Sequence, residues 1–170
     1  MQTPTTTHFF GMAMAPDTRA VPRTPLPSSR GATATMKANG PRNTGPELLL
    51  RSALHRRGLR FRVHRSPERD VRTIPDIVFG PARTVVFVDG CFWHRCPEHG
   101  NLPKANREWW TTKLDANVAR DRRFTDILRG RGWTVIRVWE HESVEGAADR
   151  IEQSVRNAHP ATTRIPWSSR

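Results

Sequence analysis

Between Val85 and His99 the chain concentrates an apolar run, a carboxylate (Asp89), two thiols (Cys91, Cys96), two imidazoles (His94, His99) and the adjacent rings of Phe92 and Trp93. Two kinds of metal chemistry are compatible with that segment. Cys91-x4-Cys96-x2-His99, completed by His141 further along, offers the soft and borderline donors that tetrahedral Zn²⁺ takes, and a closed four-ligand site is structural. Both cysteines of the chain fall here, which weighs against two free thiols beside surface histidines. Asp76 follows Pro75 at the head of a short apolar run, and Asp89 ends the next one. Two carboxylates converging at one sheet edge suit Mg²⁺, a hard ion that keeps several waters and bridges to phosphate. Alone that spacing is a weak signal, because a solvated turn aspartate is the commoner reading. His94 has the chemistry to position water or protonate a leaving oxygen beside a phosphodiester; a fifth zinc ligand and a surface residue are its other readings.

The surrounding sequence has nucleic-acid character. The 170 residues carry 28 Lys and Arg against 16 Asp and Glu, a net charge of +12 and a pI near 11.5. Such an excess favours a polyanionic partner, because neutralised phosphates release condensed counterions, and the preponderance of arginine favours fork-like phosphate contacts. A basic ribosomal-type surface and an Arg-rich codon bias are the bland alternatives. Phe92-Trp93 and Trp109-Trp110, set among arginines, suit wedging between base steps. Core packing is the default for such rings, and strand-like alternation would turn one of each pair inward. Arg120 and Arg123 share a helical face with Asp121 between them. That is either a solvated face with intrahelical pairs or a phosphate clamp in which Asp121 orients a catalytic group.

These groups need one scaffold, and 170 residues suffice for a single core with appendages. Residues 1–36, rich in Thr, Pro, Ser and Ala without a period, are expected to be a disordered extension, with Met36 an alternative start of translation. A folded domain is expected over 37–158 and a flexible tail, containing Trp167, over 159–170. Thr44-Gly45-Pro46-Glu47 fits a capping box, and Leu48, Leu49, Ala53 and Leu54 form an apolar stripe with Arg51, Arg56 and Arg57 on the wet side and Gly58 as the stop. Strands are predicted over 59–63, 74–79 and 84–88, the last two separated by Gly80-Pro81 and the third buried on both faces. A helix over 107–129, a strand over 133–139 and a helix over 144–158 complete a mixed α/β sandwich. Two cysteines point to a reducing compartment, and no run approaches the roughly 18 apolar residues of a membrane span, so a cytoplasmic protein without membrane contact is expected.

Asn43-Thr44-x-Pro46-Glu47, then Pro75-Asp76-Ile77-Val78-Phe79, Val88-Asp89-Gly90-Cys91-Phe92-Trp93-His94-x-Cys96-Pro97-x-His99, Trp110 with Lys113, Asn117-Val118-x-Arg120-Asp121, Gly132-Trp133 and Val138-Trp139-Glu140 occur in that order. Together they resemble the very short patch repair (Vsr) mismatch endonucleases. The resemblance implies a restriction-endonuclease-like mixed sheet flanked by helices, a structural Zn²⁺, and a Mg²⁺-dependent nick 5′ of the thymine in T·G mismatches left by deamination of 5-methylcytosine. By position, Asp76 resembles the main metal-binding carboxylate, His94 the catalytic histidine, and Glu47 and Asp121 supporting acidic residues. Phe92, Trp93 and Trp110 resemble the aromatics inserted beside the mismatch. Some family members have histidine where this chain has Asp89, which leaves that residue as a second metal ligand or an orienter of water. The last zinc ligand is cysteine in some relatives and His141 here, a change that keeps tetrahedral coordination.

The partner so implied is double-stranded DNA with a T·G mismatch, bound by a monomer associated with the nucleoid. Mismatch-repair proteins and a cytosine methyltransferase system are the further partners the family suggests. A restriction or junction nuclease of the same fold, and a zinc-stiffened DNA-binding module without activity, remain the alternatives.

Overall fold

The structure, a computed structural model, describes residues 42–158. The expected N-terminal extension, Met36 and the C-terminal tail with Trp167 lie outside the described residues. In chain order the elements are α1 (Gly45–Arg56), β1 (Arg62–Val63), β2 (Ile77–Phe79), β3 (Thr84–Asp89), α2 (Arg107–Gly130), β4 (Thr134–Trp139) and α3 (Val144–Ala158). The β-branched runs on either side of Gly80-Pro81 fold back antiparallel, with Ile77 opposite Val86 and Phe79 opposite Thr84. β4 then joins β3 in parallel, which requires a long crossover, and α2 is that crossover. The sheet order is β1-β2-β3-β4.

Helices cover both faces. On one, Ile77, Phe79, Val86 and Val138 pack with Leu50, Ala53 and Leu54 of α1 and Ala147, Ala148 and Ile151 of α3. On the other, Val78, Val85 and Val135 meet Leu128 of α2 and Trp133. Val85 and Val86 are both fully buried, so β3 is enclosed on both faces as its apolar run predicts. Arg57 ties α1 to α3 through Glu145 and Asp149.

The structure corrects the reading of α1. Leu48 and Leu49 are 51% and 60% exposed, whereas Ala53 and Leu54 are buried as expected and Glu47, Leu50 and Arg51 complete the buried face. Glu47, Leu50, Arg51 and Leu54 stand at the helical spacing i, i+3, i+4, i+7, but two of those four are charged, so a search for apolar periodicity misplaces the N-terminal half of the face. The capping box is half formed: Glu47 Oε2 accepts the Asn43 N–H at 3.0 Å, whereas the Thr44 hydroxyl donates to Glu47 Oε1 instead of capping a helix amide. The stop at Gly58 is realised with φ +79°, and the Leu59 and Gly58 amides donate to Leu54 and His55 carbonyls at 3.1 and 3.0 Å. That closure draws Leu59 into the core and leaves only Arg62–Val63 as strand.

Truncating the true face tests this assignment. Leu54→Ala should lower unfolding free energy by about 2–5 kcal/mol, whereas Leu48→Ala should change it by less than about 0.5 kcal/mol, both read from denaturant titration of the two variants.

Candidate active site and metal centre

Alternation along the strands assembles one polar cluster. Val78, Val85 and Val135 face α2, so residues two or four positions away, Asp76, Phe87, Asp89 and Arg137, share that face at the end of the sheet. Phe87 and Arg137 are register partners, and the guanidinium lies 5.1 Å over the Phe87 ring. Arg137 forks Asp89, with Nε to Oδ2 at 2.5 Å and Nη2 to Oδ1 at 2.6 Å, and Nη2 is 3.3 Å from Asp121 Oδ2. Burial opposes the charge on Arg137, yet the fork and the neighbouring carboxylates Asp89, Asp121 and Asp76 hold its pKa above the ordinary value.

His94 reaches this cluster from a tight turn after β3, in which the His94 amide donates to the Gly90 carbonyl at 3.1 Å and the Cys96 amide to Cys91 at 2.9 Å. Its Nδ1 sits 2.6 Å from Asp121 Oδ2 on α2. Burial alone would raise the Asp121 pKa, but the His94 hydrogen bond and the charges of His94, Arg137 and Arg120 more than reverse this and hold it low. An ionised carboxylate is acceptor-only, so the Nδ1 that faces it carries a proton. Asp121 and His94, 27 residues apart, thus meet as a hydrogen-bonded pair.

Asp76 stands just before β2. Its N–H donates to Val86 O at 3.0 Å, and its Oδ2 accepts the Val88 N–H at 2.8 Å where the ladder to β2 has ended. Among the described residues no cationic side chain forms an ion pair with it, in contrast to the other carboxylates around it. Glu47 is held by Arg51 at 2.7 Å, Asp89 by Arg137, and Asp121 by His94, Arg120 and Arg137. Burial pushes the Asp76 carboxyl up to about 6; the Val88 amide offsets part of that rise, while Glu47 and Asp89 add to it. A half-buried carboxylate with no ion pair among the described residues, beside two others and opposed only at longer range by Arg51, is a fitting place for a divalent cation.

The second centre lies on the other side of the same turn. Ligand atoms of Cys91, Cys96, His99 and His141 all fall within 4.8 Å of one another. His141 Nδ1 is 3.0 Å from Cys91 Sγ and 3.8 Å from Cys96 Sγ, and His99 Nδ1 is 3.8 Å from Cys96 Sγ. The edges of a tetrahedral zinc site are about 3.5–3.8 Å at the usual bond lengths. Neither thiol is in a disulfide, and burial, with Cys96 and Glu140 nearby, pushes the Cys91 thiol up to about 12. A soft donor set in which the Cys91 thiolate is this disfavoured on its own fits a resident cation. Glu140 braces the loop from β4, accepting the Cys91 N–H at 2.6 Å and donating its own N–H to Asp89 O at 2.9 Å. At Gly100 a side chain would strike the Cys96 carbonyl, so the return of the loop requires glycine there.

The aromatics differ from the alternating arrangement. Phe92, Trp93, Trp109 and Trp110 are all half-buried and lie against one another, with Phe92 5.1 Å from both Trp93 and Trp110. The segment is a helical turn, not a strand, so neither pair splits between core and solvent. Asn117, buried on α2, donates to the Trp93 carbonyl at 3.3 Å and holds the cluster to the helix. Arg120 pairs with Asp121 and is exposed, and Arg123 lies over the Phe124 ring.

Two arginines escaped sequence reasoning. Arg51, placed on the wet side there, is buried and also reaches Asn43 Oδ1 at 2.8 Å and His64 Nε2 at 3.3 Å. Arg137 was read only as part of a strand. The available signals were the Glu47 to Arg51 spacing of i, i+4 and an arginine within a β-branched strand, where an unpaired charge would not be tolerated.

The family model described as DNA mismatch endonuclease Vsr matches residues 27–98. The chain is 42% identical over 136 residues to the type II nicking enzyme V.NaeI of Lentzea aerocolonigenes, covering 78% of this chain and 81% of the relative. It is 45% identical over 118 residues to the type II nicking enzyme V.XorIIP of Xanthomonas oryzae, covering 68% and 82%. Against the DNA mismatch endonuclease Vsr of Escherichia coli it is 40% identical over 108 residues, covering 62% and 66%. With a polar cluster that combines carboxylates, a histidine and arginines, these matches define a DNA endonuclease, a hydrolase acting on DNA. The chain belongs to the Vsr family. Among the described residues no helix is long and apolar enough to cross a membrane.

The state of Asp76 leads to a pH-dependent prediction. Its folded pKa is raised from the ordinary 3.8 to about 6, so below 3.8 both folded and unfolded chains are protonated, and the burial penalty builds up between those two values and is fully present above about 6. In buffer without added magnesium, Asp76→Asn should therefore stabilise the protein by on the order of 2 kcal/mol at pH 8 after allowance for solvent screening. Near pH 4 it should have little effect; a stability difference that is the same at both pH values would contradict this account.

Proposed function

We propose that this chain is a mismatch-directed nickase, cutting duplex DNA 5′ of the thymine in T·G mismatches that arise from deamination of 5-methylcytosine, with Mg²⁺ as catalytic and Zn²⁺ as structural ion. The observation that carries this reading is the His94–Asp121 pair at 2.6 Å, set beside Asp76, a half-buried carboxylate that has no ion-pair partner among the described residues. Asp121 holds the Nδ1 proton, and His94 Nε2 accepts a proton from the attacking water. Asp76, with Glu47 in support, is the carboxylate that holds the divalent ion. Bound there, Mg²⁺ supplies charge stabilisation to the phosphoryl group during in-line displacement. Asp89, whose oxygens are both taken by Arg137, acts through that arginine instead of as a ligand.

Phe92, Trp93 and Trp110 form the wedge that parts the stack beside the mismatch, and their mutual packing in a zinc-braced loop limits the entropy lost on insertion. Arg120 and Arg123 serve the DNA backbone from the exposed side of α2. Cys91, Cys96, His99 and His141 hold the zinc. The domain over 37–158 is of the restriction-endonuclease-like type, works as a monomer, and acts in repair alongside a cytosine methyltransferase system and mismatch-repair proteins. Two of the relatives carry the name nicking enzyme, which favours single-strand over double-strand cleavage.

Labelled duplexes with a T·G mismatch, fully paired duplexes and a four-way junction, each with Mg²⁺, decide the matter. The expected result is a nick in the thymine strand of the T·G duplex alone, reduced at least about 100-fold in Asp76→Ala. Cleavage of both strands of paired DNA would identify a restriction-type enzyme, preference for the junction a resolving enzyme, and binding without cleavage a DNA-binding module. Metal analysis should find roughly one zinc ion per chain, lost in Cys96→Ser together with thermal stability.

A further inference from the structure

We propose that Arg137 is a positioning residue that decides which carboxylate holds the His94 ring. The inference rests on the reading in which His94 acts at the scissile phosphate. His94 Nδ1 lies 2.6 Å from Asp121 Oδ2 and 3.7 Å from Asp89 Oδ1, so two carboxylates compete for one N–H donor. A ring turned to Asp89 would carry its other nitrogen away from the position set by α2. Asp89 is only 4% exposed and needs a protein donor to satisfy it.

Arg137 ends that competition. Its Nε and Nη2 take both Asp89 oxygens in a bidentate fork, the strongest form of carboxylate pairing, and leave Asp121 as the acceptor for the imidazole. The guanidinium cannot follow the ring, because its stem belongs to β4 in register with Phe87 and its plane lies over the Phe87 ring. Nη2 stands 3.4 Å from His94 Nδ1, and a second donor so close on that side further excludes rotation of the ring N–H toward Asp89. The fork thus gives His94 one orientation and one tautomer. A phosphate contact is not the role of these two nitrogens, since both already donate to carboxylates.

The test compares Arg137→Met, Asp89→Asn, the double variant and His94→Ala, using the T·G duplex with Mg²⁺ for single-turnover cleavage and the same duplex without Mg²⁺ for affinity. Arg137→Met should slow cleavage roughly 10- to 100-fold, as loss of an orienting partner does elsewhere, with Kd unchanged within about threefold. Adding Asp89→Asn should restore at least about tenfold of that loss, because the competing charge is gone. Nitrogen-15 spectra of the His94 ring at one fixed pH should show protonated Nδ1 in the parent, a mixture in Arg137→Met, and recovery in the double variant. A slow Arg137→Met that the second change does not rescue, or a loss confined to Kd, overturns the proposal. Should Arg137→Met not fold, Arg137→Lys keeps the charge without the fork and must show the same ring mixture, or the proposal falls. If His94→Ala still cleaves, the reading of the site fails first, and the proposal with it.

Discussion

The parallel register of β3 with β4, Phe87 beside Arg137 and Asp89 beside Trp139, is the constraint from which the site takes its shape. Because side chains alternate with a period of two, this pairing sets Arg137 on the same face as Asp89 and brings Glu140 and His141 to the turn that follows β3. A slip of one residue would send Arg137 to the opposite face and remove the brace that Glu140 provides for Cys91. The register is itself supported by Val85, Val86, Val135 and Val138, which are buried against the two helical layers.

Charge balance is the second organising principle. Glu47, Asp76, Asp89 and Asp121 converge where the sheet, the start of α1 and the middle of α2 meet. Among the described residues three of them have arginine or histidine partners, and Asp76 forms no ion pair. Burying a paired carboxylate costs little beyond desolvation, whereas Asp76 bears a penalty that shows as its raised pKa. Such a local cost is consistent with the general conflict between stability and function at reactive sites. The Cys/His cluster lies on the same turn: Cys91 and Cys96 bracket Phe92, Trp93 and His94, so whatever fixes the sulfurs also fixes the rings and the imidazole.

Legibility in the sequence followed the physics of each segment. The zinc-type ligands were visible because donor type and spacing are both restrictive, and His141 could be added as the remaining imidazole beyond a strand. The strands around Gly80-Pro81 and the helices 107–130 and 144–158 were visible from strong periodicity. Half of the inward face of α1 was not, since it is formed by Glu47 and Arg51, which pair with each other and are further held by Asn43 and His64. The aromatic cluster was misjudged because two adjacent rings suggest alternation, whereas the loop closes in a helical turn held from Gly90 and Cys91.

What the chain determines by itself is local: which residues can ligate a soft metal, which runs must be strands or helices, and that a basic surface surrounds an acidic and imidazole-bearing motif. These follow from side-chain chemistry and from periods of 2 and 3.6. Only the tertiary structure decides that His94 binds Asp121 in preference to the nearer-in-sequence Asp89, that Arg137 belongs to the site, and that among the described residues Asp76 alone of the acidic cluster has no ion pair. Those outcomes depend on competition among partners many residues apart, and geometry between packed layers, not residue type, settles which partner is reached.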